Sequence, residues 1–286
     1  MANIRLIKGR IRGIQSTIKI TKAMEMVAAS KMRRAQERDL QGRPYDTKIR
    51  QVLGDLAAAQ PPDSRGSHAL LQPRDTVNSI AILHITSDRG LCGGFNGNVN
   101  RQTVNFIRSQ NVPVKLITVG RKGRDFMLRF GFNVVAEFTG LGDRPGLIDT
   151  TSIARILTDD FISKSADVVY ISFGEFVSTA VQRPVMKQIL PIQPMELQRA
   201  QNVEYIFEPS SQLVLDLLLP RFVEMQVFHA ILESIASEQS ARMVAMRNAT
   251  DNAMELIDEL TLTYNKARQE MITKEILDIT AGAVTQ

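Results

Sequence analysis

The chain has 286 residues, enough for one large domain or two ordinary ones, and its 44% hydrophobic and 23% charged residues exclude wholesale disorder. Trp is absent, aromatic residues make up 6%, and Met reaches 12 residues, a composition typical of long helices and unusual for sandwiches and barrels. The net charge is +5, and the single cysteine, Cys92, excludes an intramolecular disulfide and fits a reducing compartment.

Positive charge is concentrated at the start of the chain, where the first 50 residues hold thirteen Lys and Arg against four Asp and Glu. This excess indicates either an acidic partner, such as nucleic acid or an acidic protein surface, or a solvated helix face. The first residues are charged early and no uninterrupted apolar run follows them, so we expect neither a signal peptide nor a transmembrane span. The protein is expected to be soluble or peripheral to a larger assembly.

The first predicted element is a long helix over residues 3–58. Its apolar residues step alternately by three and four positions, as a heptad seam requires: Ile4, Ile7, Ile11, Ile14 and Ile18. From Ile20 to Ala29 the apolar face widens, which predicts contact on more than one side.

Glycine and proline divide this helix and end it. Gly9 and Gly13 share one side, where we expect another backbone to approach closely. Gly42 and Pro44 predict a break or bend, and Gln60-Pro61-Pro62 predicts the end of the helix. A polar linker follows over residues 60–75.

The central region alternates strands and helices. Predicted strands cover residues 77–86, 112–119, 133–138, 167–173, 181–192 and 203–207, and predicted helices cover residues 95–110, 121–130 and 152–164. Pro184 and Pro191 favour an edge or strand-end position for the fifth strand. This alternation predicts an α/β domain with a doubly wound, mainly parallel sheet and helices on both faces.

The last element is a second long helix from Ser210 to about Gly282, interrupted or kinked at Pro220. Its apolar residues again follow a heptad seam: Met225, Phe228, Leu232, Ile235, and later Met246, Ala249, Ala253, Leu256 and Leu260. At 1.5 Å per residue this helix is on the order of 100 Å long and needs a partner along its length. The simplest partner is the N-terminal helix, in a long antiparallel coiled coil.

The predicted organisation therefore has four parts. Residues 1–59 form an N-terminal shaft helix, 60–75 a linker, 76–208 the α/β domain and 209–286 a C-terminal shaft helix.

The sequence offers no clear constellation for chemistry. The segment 90–94 (GLCGG) stands where a phosphate loop would follow the first strand, but no Lys-Ser or Lys-Thr follows it. His68, His84 and His229 are far apart, so metal binding has no support. Cys92 is interpreted as a small packing residue rather than a nucleophile. We therefore predict no catalytic residue, no cofactor and no metal.

Three long motifs make the sequence recognisable: ITKAMEMVAASKMRRAQ in the first helix, SDRGLCGGFN after the first strand, and ARMVAMRNATDNAMELIDELTLTYNKARQEMITKEILDITAGA at the end. Together they resemble the gamma-subunit family of the F-type, rotary ATP synthases, and the resemblance runs from end to end. The chain length resembles that of bacterial members. The paired cysteines of the chloroplast regulatory insert are absent, so thiol control of that type is not expected.

This resemblance implies a rotor of the central stalk. In that family the paired terminal helices fill the bore of a hexamer of alpha and beta subunits, and the α/β base sits on the ring of c subunits beside the epsilon subunit. Catalytic and nucleotide sites belong to beta and alpha. The implied location is peripheral, at the cytoplasmic face of the bacterial cell membrane, without membrane insertion and without nucleic acid.

The motif match also carries over candidate contact residues. Met24 and, more weakly, Lys22 in TKAMEM correspond to shaft contacts with beta, and so do Arg268 and Gln269 in NKARQ. Met24 has the alternative reading of plain coiled-coil packing.

The segment YIFEP resembles the part of the base that meets the c-ring, which makes Tyr205 and Glu208 candidate ring contacts. Phe207 stands where the family usually has tyrosine.

Two other classes of protein compete with this reading. A nucleic-acid-binding protein would place base-stacking aromatic residues among the cations, and residues 1–44 contain none. An enzyme built on the α/β domain would need a cluster of titratable groups at the strand ends, which the sequence does not supply.

Overall fold

The computed structural model describes residues 4–59, 68–193 and 210–284. Its elements in chain order are α1 Ile4–Ala59, β1 Ile80–Ile85, α2 Phe95–Ser109, β2 Val114–Val119, α3 Arg121–Arg129, β3 Val134–Phe138, α4 Leu147–Ile162, β4 Val168–Phe176, β5 Gln182–Leu190 and α5 Ser211–Val284. The chain divides into two compact units. Unit 1 comprises Met1–Ala28 with Arg242–Gln286, and unit 2 comprises Ala29–Ala241.

The sheet of unit 2 confirms the predicted mainly parallel architecture. Its order is β3-β2-β1-β4-β5, with β1 to β4 parallel and β5 antiparallel to β4. Pro184 lies in β5 opposite Gly174, at one end of the described sheet, where a missing N–H is tolerated. The strand predicted over residues 203–207 lies outside the described residues.

Helices cover both faces of this sheet, as a doubly wound fold requires. On one face, Ile80, Ile82 and Leu116 pack with Met127 of α3 and with half-buried residues of α2. The other face has a larger core, in which the sheet packs with α4, the end of α1 and the start of α5. Its fully buried side chains include Leu53, Leu56, Leu83, Ile117, Ile153, Leu157, Phe161, Leu219 and Phe222.

Helix α4 begins earlier than the sequence indicated. It starts at Leu147 rather than Ser152, because the Asp149 carboxylate accepts a hydrogen bond from the Gly146 N–H at 2.7 Å and caps the first turn. Leu147 and Ile148 are exposed, so the apolar pattern carries no sign of this turn.

The two long helices are continuous through the residues at which a break, bend or kink was predicted. Helix α1 runs through Gly42 and Pro44, and α5 runs through Pro220. Each proline removes one backbone hydrogen bond, but the surrounding turns are held by packing, as at Leu219, which is fully buried. Gly42 makes room for His229, because a Cβ at position 42 would lie 2.7 Å from Cε1 of that side chain.

The two long helices pair with each other, in an antiparallel sense. Within unit 2, Asp39 contacts His229 at 2.8 Å and Asp46 accepts a hydrogen bond from Gln226 at 2.9 Å, so positions rise along α1 as they fall along α5. Within unit 1, the hydroxyls of Thr21 and Thr250 are 2.7 Å apart.

In unit 1 the seam predicted for α1 is confirmed, since Ile4, Ile7, Ile11, Ile14 and Ile18 are buried or half-buried. In the seam of α5 the predicted Met246, Ala249, Ala253 and Leu260 are buried or half-buried, and so are Thr250, Ile257, Tyr264 and Ala267, which were not predicted. Leu256 is 44% exposed and was wrongly placed. Leu256 and Ile257 are adjacent and both apolar, so the apolar pattern could not show which of them faces α1. Thr250 is polar, so the same pattern could not place it in the seam.

Two further expectations concern the start of α1. A Cβ added at Gly9 or at Gly13 would meet no atom of another described part of the chain within 4 Å, so none of the described residues makes the expected close backbone approach there. Ile20, Met26 and Val27 remain more than half exposed. The wide apolar face of α1 is therefore open to a partner outside this chain.

Candidate partner-binding surfaces and the filled crevice

In doubly wound sheets, ligands bind outside the carboxyl ends of the strands where the strand order reverses. Here that point lies between β1 and β4. It is occupied by Phe95, which is 5% exposed and packs so closely that a Cβ on Gly174 would lie 2.4 Å from its ring. Cys92, Val99 and Ala241 complete this cluster, and Cys92 is a buried packing residue as predicted.

The buried histidine of β1 belongs to a structural hydrogen-bond network. His84 is fully buried between Asn100 at 2.8 Å and Thr103 at 3.0 Å, and Thr103 continues to Ser172 at 2.6 Å. Burial lowers the pKa of His84 to about 4, although the hydrogen bond to Asn100 acts in the opposite direction. The ring is therefore neutral at neutral pH and satisfied on both nitrogens.

Two further properties bear on the function. Among the described residues, no group of His, Cys, Asp and Glu side chains is arranged to hold a metal ion. In the same part of the chain, none of the helices combines the length and apolar character that crossing a bilayer requires.

Several of the thirteen Lys and Arg residues among the first 50 form ion pairs that join them to nearby carboxylates. Lys22 contacts Glu25 at 2.9 Å, Lys31 contacts Asp143 at 2.6 Å, and Arg50 contacts Asp46 at 2.8 Å.

The candidate beta contacts fall into two groups that the structure does not bring together. Met24 is half-buried beside the seam, and Lys22 keeps 54% of its side chain exposed despite its ion pair with Glu25. Arg268 and Gln269 are exposed on α5. Arg268 lies about 27 Å along that helix from Thr250, which pairs with Thr21.

Beyond these residues, α5 carries an apolar stripe that the motif comparison did not single out. Every residue from Arg268 to Thr280 is exposed, including Ile272, Ile276 and Ile279, which recur at steps of four and three. That spacing places them on one helix face, and it was readable in the sequence. Exposed apolar faces of this kind mark contact surfaces. The candidate c-ring residues, Tyr205 and Glu208, lie outside the described residues.

A charged groove of about 420 Å³ lies in unit 2 between α1, α5 and the strands β4 and β5. Asp39 of α1, Glu175 of β4, and His229 and Glu233 of α5 line it. Burial acts to raise the pKa of Asp39, but the hydrogen bonds and charges of His229 and Arg43 outweigh it and lower that pKa. Sequence reasoning missed this groove, because its members are single polar residues of separate elements.

For Glu233, in contrast, the net effect of its surroundings is to raise the pKa. Burial raises the pKa of Glu233 above its ordinary value of 4.5, and the negative charges of Asp39 and Glu175 raise it further, against smaller opposing effects of Arg43 and His229. The ionised form of Glu233 therefore opposes folding.

A chain that combines a pair of long terminal helices with a doubly wound α/β domain whose crevice is filled belongs to a class of helix-pair α/β proteins. A sequence profile of the family described as ATP synthase matches residues 3–285. The ATP synthase gamma chain of Dehalococcoides mccartyi is 60% identical over 283 residues, covering 99% of each chain.

Solved structures agree with this match. The central stalk and c-ring structure of the Tetrahymena thermophila mitochondrial ATP synthase contains a chain with a TM-score of 0.61 and 25% identity, covering 80% of this chain and 99% of that one. A chain in the OSCP/F1/c-ring structure of the Euglena gracilis mitochondrial ATP synthase gives a TM-score of 0.68 at 19% identity, covering 99% and 94%. The chain belongs to the ATP synthase gamma-chain family.

The raised pKa of Glu233 predicts a pH-dependent gain in stability on replacing it. Because the folded state holds the Glu233 proton more tightly than the unfolded state, the wild type loses stability as pH rises from about 4.5 through the raised pKa. Glu233→Gln removes this loss, so the variant is more stable than the wild type at pH 7 and equally stable at pH 4. Urea unfolding at both pH values measures the difference, and Glu224→Gln, on the same helix, is the control. An equal difference at the two pH values contradicts the assignment.

Proposed function

We propose that this chain is the rotor subunit of the central stalk of an ATP synthase and has no catalytic site of its own. In this role it couples rotation of the membrane ring of c subunits to sequential conformational change of three catalytic beta subunits. The observation that carries the proposal is the pairing of α1 with α5, which leaves outward-facing apolar residues along both helices in unit 1.

The physical logic concerns symmetry. Three beta subunits share one sequence, so only an asymmetric insert makes their states differ at any instant. A ligand shifts a conformational equilibrium only if it binds the two conformations with different affinities. Here the helix pair acts as the ligand, and the conformations are those of the beta subunits. The exposed residues Ile20, Met26, Val27 and Leu262 give it an apolar surface for such contacts.

The proposed absence of catalysis rests on two features of unit 2. Phe95 fills the crevice in which a doubly wound sheet binds ligands, and the buried His84 is satisfied by Asn100 and Thr103. Nucleotide chemistry is then the task of the alpha and beta subunits.

Partners and location follow from the same role. Met24, Lys22, Arg268 and Gln269 are the proposed contacts with beta, and Tyr205 and Glu208 those with the c-ring. The epsilon subunit is a further proposed partner. Residues 1–59 and 209–286 serve as the shaft, linked through residues 60–75 to a base formed by residues 76–208. The complex is placed at the cytoplasmic face of a bacterial membrane, with this chain peripheral to it.

Reconstitution tests the function directly. The isolated chain is expected to hydrolyse no ATP. Added to the alpha and beta subunits of a close relative, it is expected to produce hydrolysis that turns a probe attached to this chain. The probe's rotation is followed by single-molecule microscopy, with alpha and beta alone as the control. ATP hydrolysis by the purified chain, or an assembly in which the probe stays still, contradicts the proposal.

Met24→Lys tests the contact with beta. A lysine at this half-buried position reaches solvent with its charge, so the chain still folds, but it places a new cation against beta. We expect fewer protons pumped per ATP hydrolysed, measured in vesicles, with an unchanged unfolding midpoint. Met24→Leu, which preserves size and apolarity, is the matched control. Unchanged pumping in Met24→Lys removes Met24 from the contact surface.

A further inference from the structure

Helix α5 carries two adjacent polar residues, Gln239 and Ser240, whose side chains are buried. Gln239 is 3% exposed and Ser240 is fully buried, close to the end of unit 2 at Ala241. A buried polar group is costly unless it finds a hydrogen-bond partner, so the partners of these two residues explain their presence.

The partners of Ser240 belong to the loop between β4 and β5, residues 177–181. Its hydroxyl donates to the carbonyl oxygen of Thr179 at 2.7 Å and accepts from Nε2 of Gln182 at 3.2 Å. The loop is tight in itself, because Ser178 and Val181 exchange backbone hydrogen bonds of 3.0 and 3.2 Å. It therefore offers a fixed acceptor to α5.

The partner of Gln239 belongs to the loop between β3 and α4, residues 139–146. One oxygen of Asp143 contacts Nζ of Lys31 on α1 at 2.6 Å, and the other accepts from Nε2 of Gln239 on α5 at 3.4 Å. A single carboxylate thus holds both helices. The guanidinium of Arg38 adds a hydrogen bond to the carbonyl oxygen of Pro145 at 3.2 Å.

This second loop is also anchored to the sheet. The backbone N–H of Gly140 donates to the Asp88 carboxylate at 2.9 Å, and Asp88 follows β1. The φ angles of Gly140 and Gly142, 76° and 74°, belong to the left-handed region that glycine adopts without strain. The loop is therefore tied to the segment after β1, at a point three positions before Asp143.

We propose that these two loops form a clasp that fixes the orientation of α1 and α5 relative to the sheet, and that the clasp carries torque into the helix pair. The clasp comprises Asp143, Pro145 and Thr179 on the loops, Gln182 at the start of β5, and Lys31, Arg38, Gln239 and Ser240 on the helices. Its torque-carrying role rests on the proposed rotor function. Apolar packing resists separation but permits sliding, whereas directed polar contacts fix one orientation.

Distance measurements on the full chain test the clasp itself. Spin labels are attached through Glu37→Cys on α1 and Arg155→Cys on α4, both exposed, in a Cys92→Ala background. We expect Asp143→Ala to broaden the distribution of label distances. Asp75→Ala, the same change at an exposed carboxylate of unit 2, is expected to leave it narrow. Equal widths in the two variants overturn the proposal.

Exchanging the charges of Lys31 and Asp143 tests whether their ion pair itself, rather than a general destabilisation of the loop, controls the label distances. Lys31→Asp alone is expected to broaden the distribution, and Lys31→Asp combined with Asp143→Lys to restore it, since Gln239 can then accept through its carbonyl. Failure of the exchange to restore the narrow distribution counts against the clasp.

The role in torque is tested in the assembly with alpha and beta subunits, with a rotating probe attached at position 155. During pauses, Asp143→Ala is expected to show larger angular fluctuations than Asp75→Ala, which signals a loss of torsional stiffness. Equal fluctuations overturn the torque role. If the wild-type chain does not turn at all, the rotor function fails, and the label distances still decide whether the clasp exists.

Discussion

The pairing of α1 with α5 is the contact on which the rest of the molecule depends. Long helices are marginal in water without tertiary packing, and here the apolar seam of each helix is buried against the seam of the other. Polar pairs are spaced along the contact, at Thr21 with Thr250 and at Asp39 with His229. Packing alone tolerates slippage by a heptad, so these pairs set the register.

In the α/β domain, the crevice in which doubly wound sheets bind ligands is filled. Its parallel strands reverse order between β1 and β4, where doubly wound proteins bind ligands. One aromatic side chain, Phe95, packs against the position that Gly174 keeps free of a side chain. The domain therefore keeps the parallel sheet, and a side chain fills its crevice.

The sequence predicted the architecture well because the architecture is periodic. The isoleucine seam of α1 and the alternation of strands and helices are both visible as spacing. The features that the sequence did not predict are those that leave no periodic pattern in it. Pro44 and Pro220 continue as helix because their surroundings are packed, and Thr250 enters the seam through a hydroxyl pair.

The contacts of the candidate binding residues also could not be predicted from periodicity. The motifs singled out Lys22 and Met24, but not the ion pair of Lys22 with Glu25. The charged groove around Glu233 and the bridging role of Asp143 depend on residues brought together from separate elements. Such polar contacts have no spacing of their own in the sequence, so only the folded chain reveals them.

Whether the two terminal helices work as one body is tested most directly by locking them together. Thr21→Cys with Thr250→Cys, in a Cys92→Ala background, replaces hydroxyls 2.7 Å apart with a pair able to form a disulfide. If the helices turn as a unit, the oxidised chain supports rotation in the assembly with alpha and beta subunits as well as the reduced chain does. Loss of rotation on oxidation, recovered on reduction, would show that the helices must separate and would contradict this account.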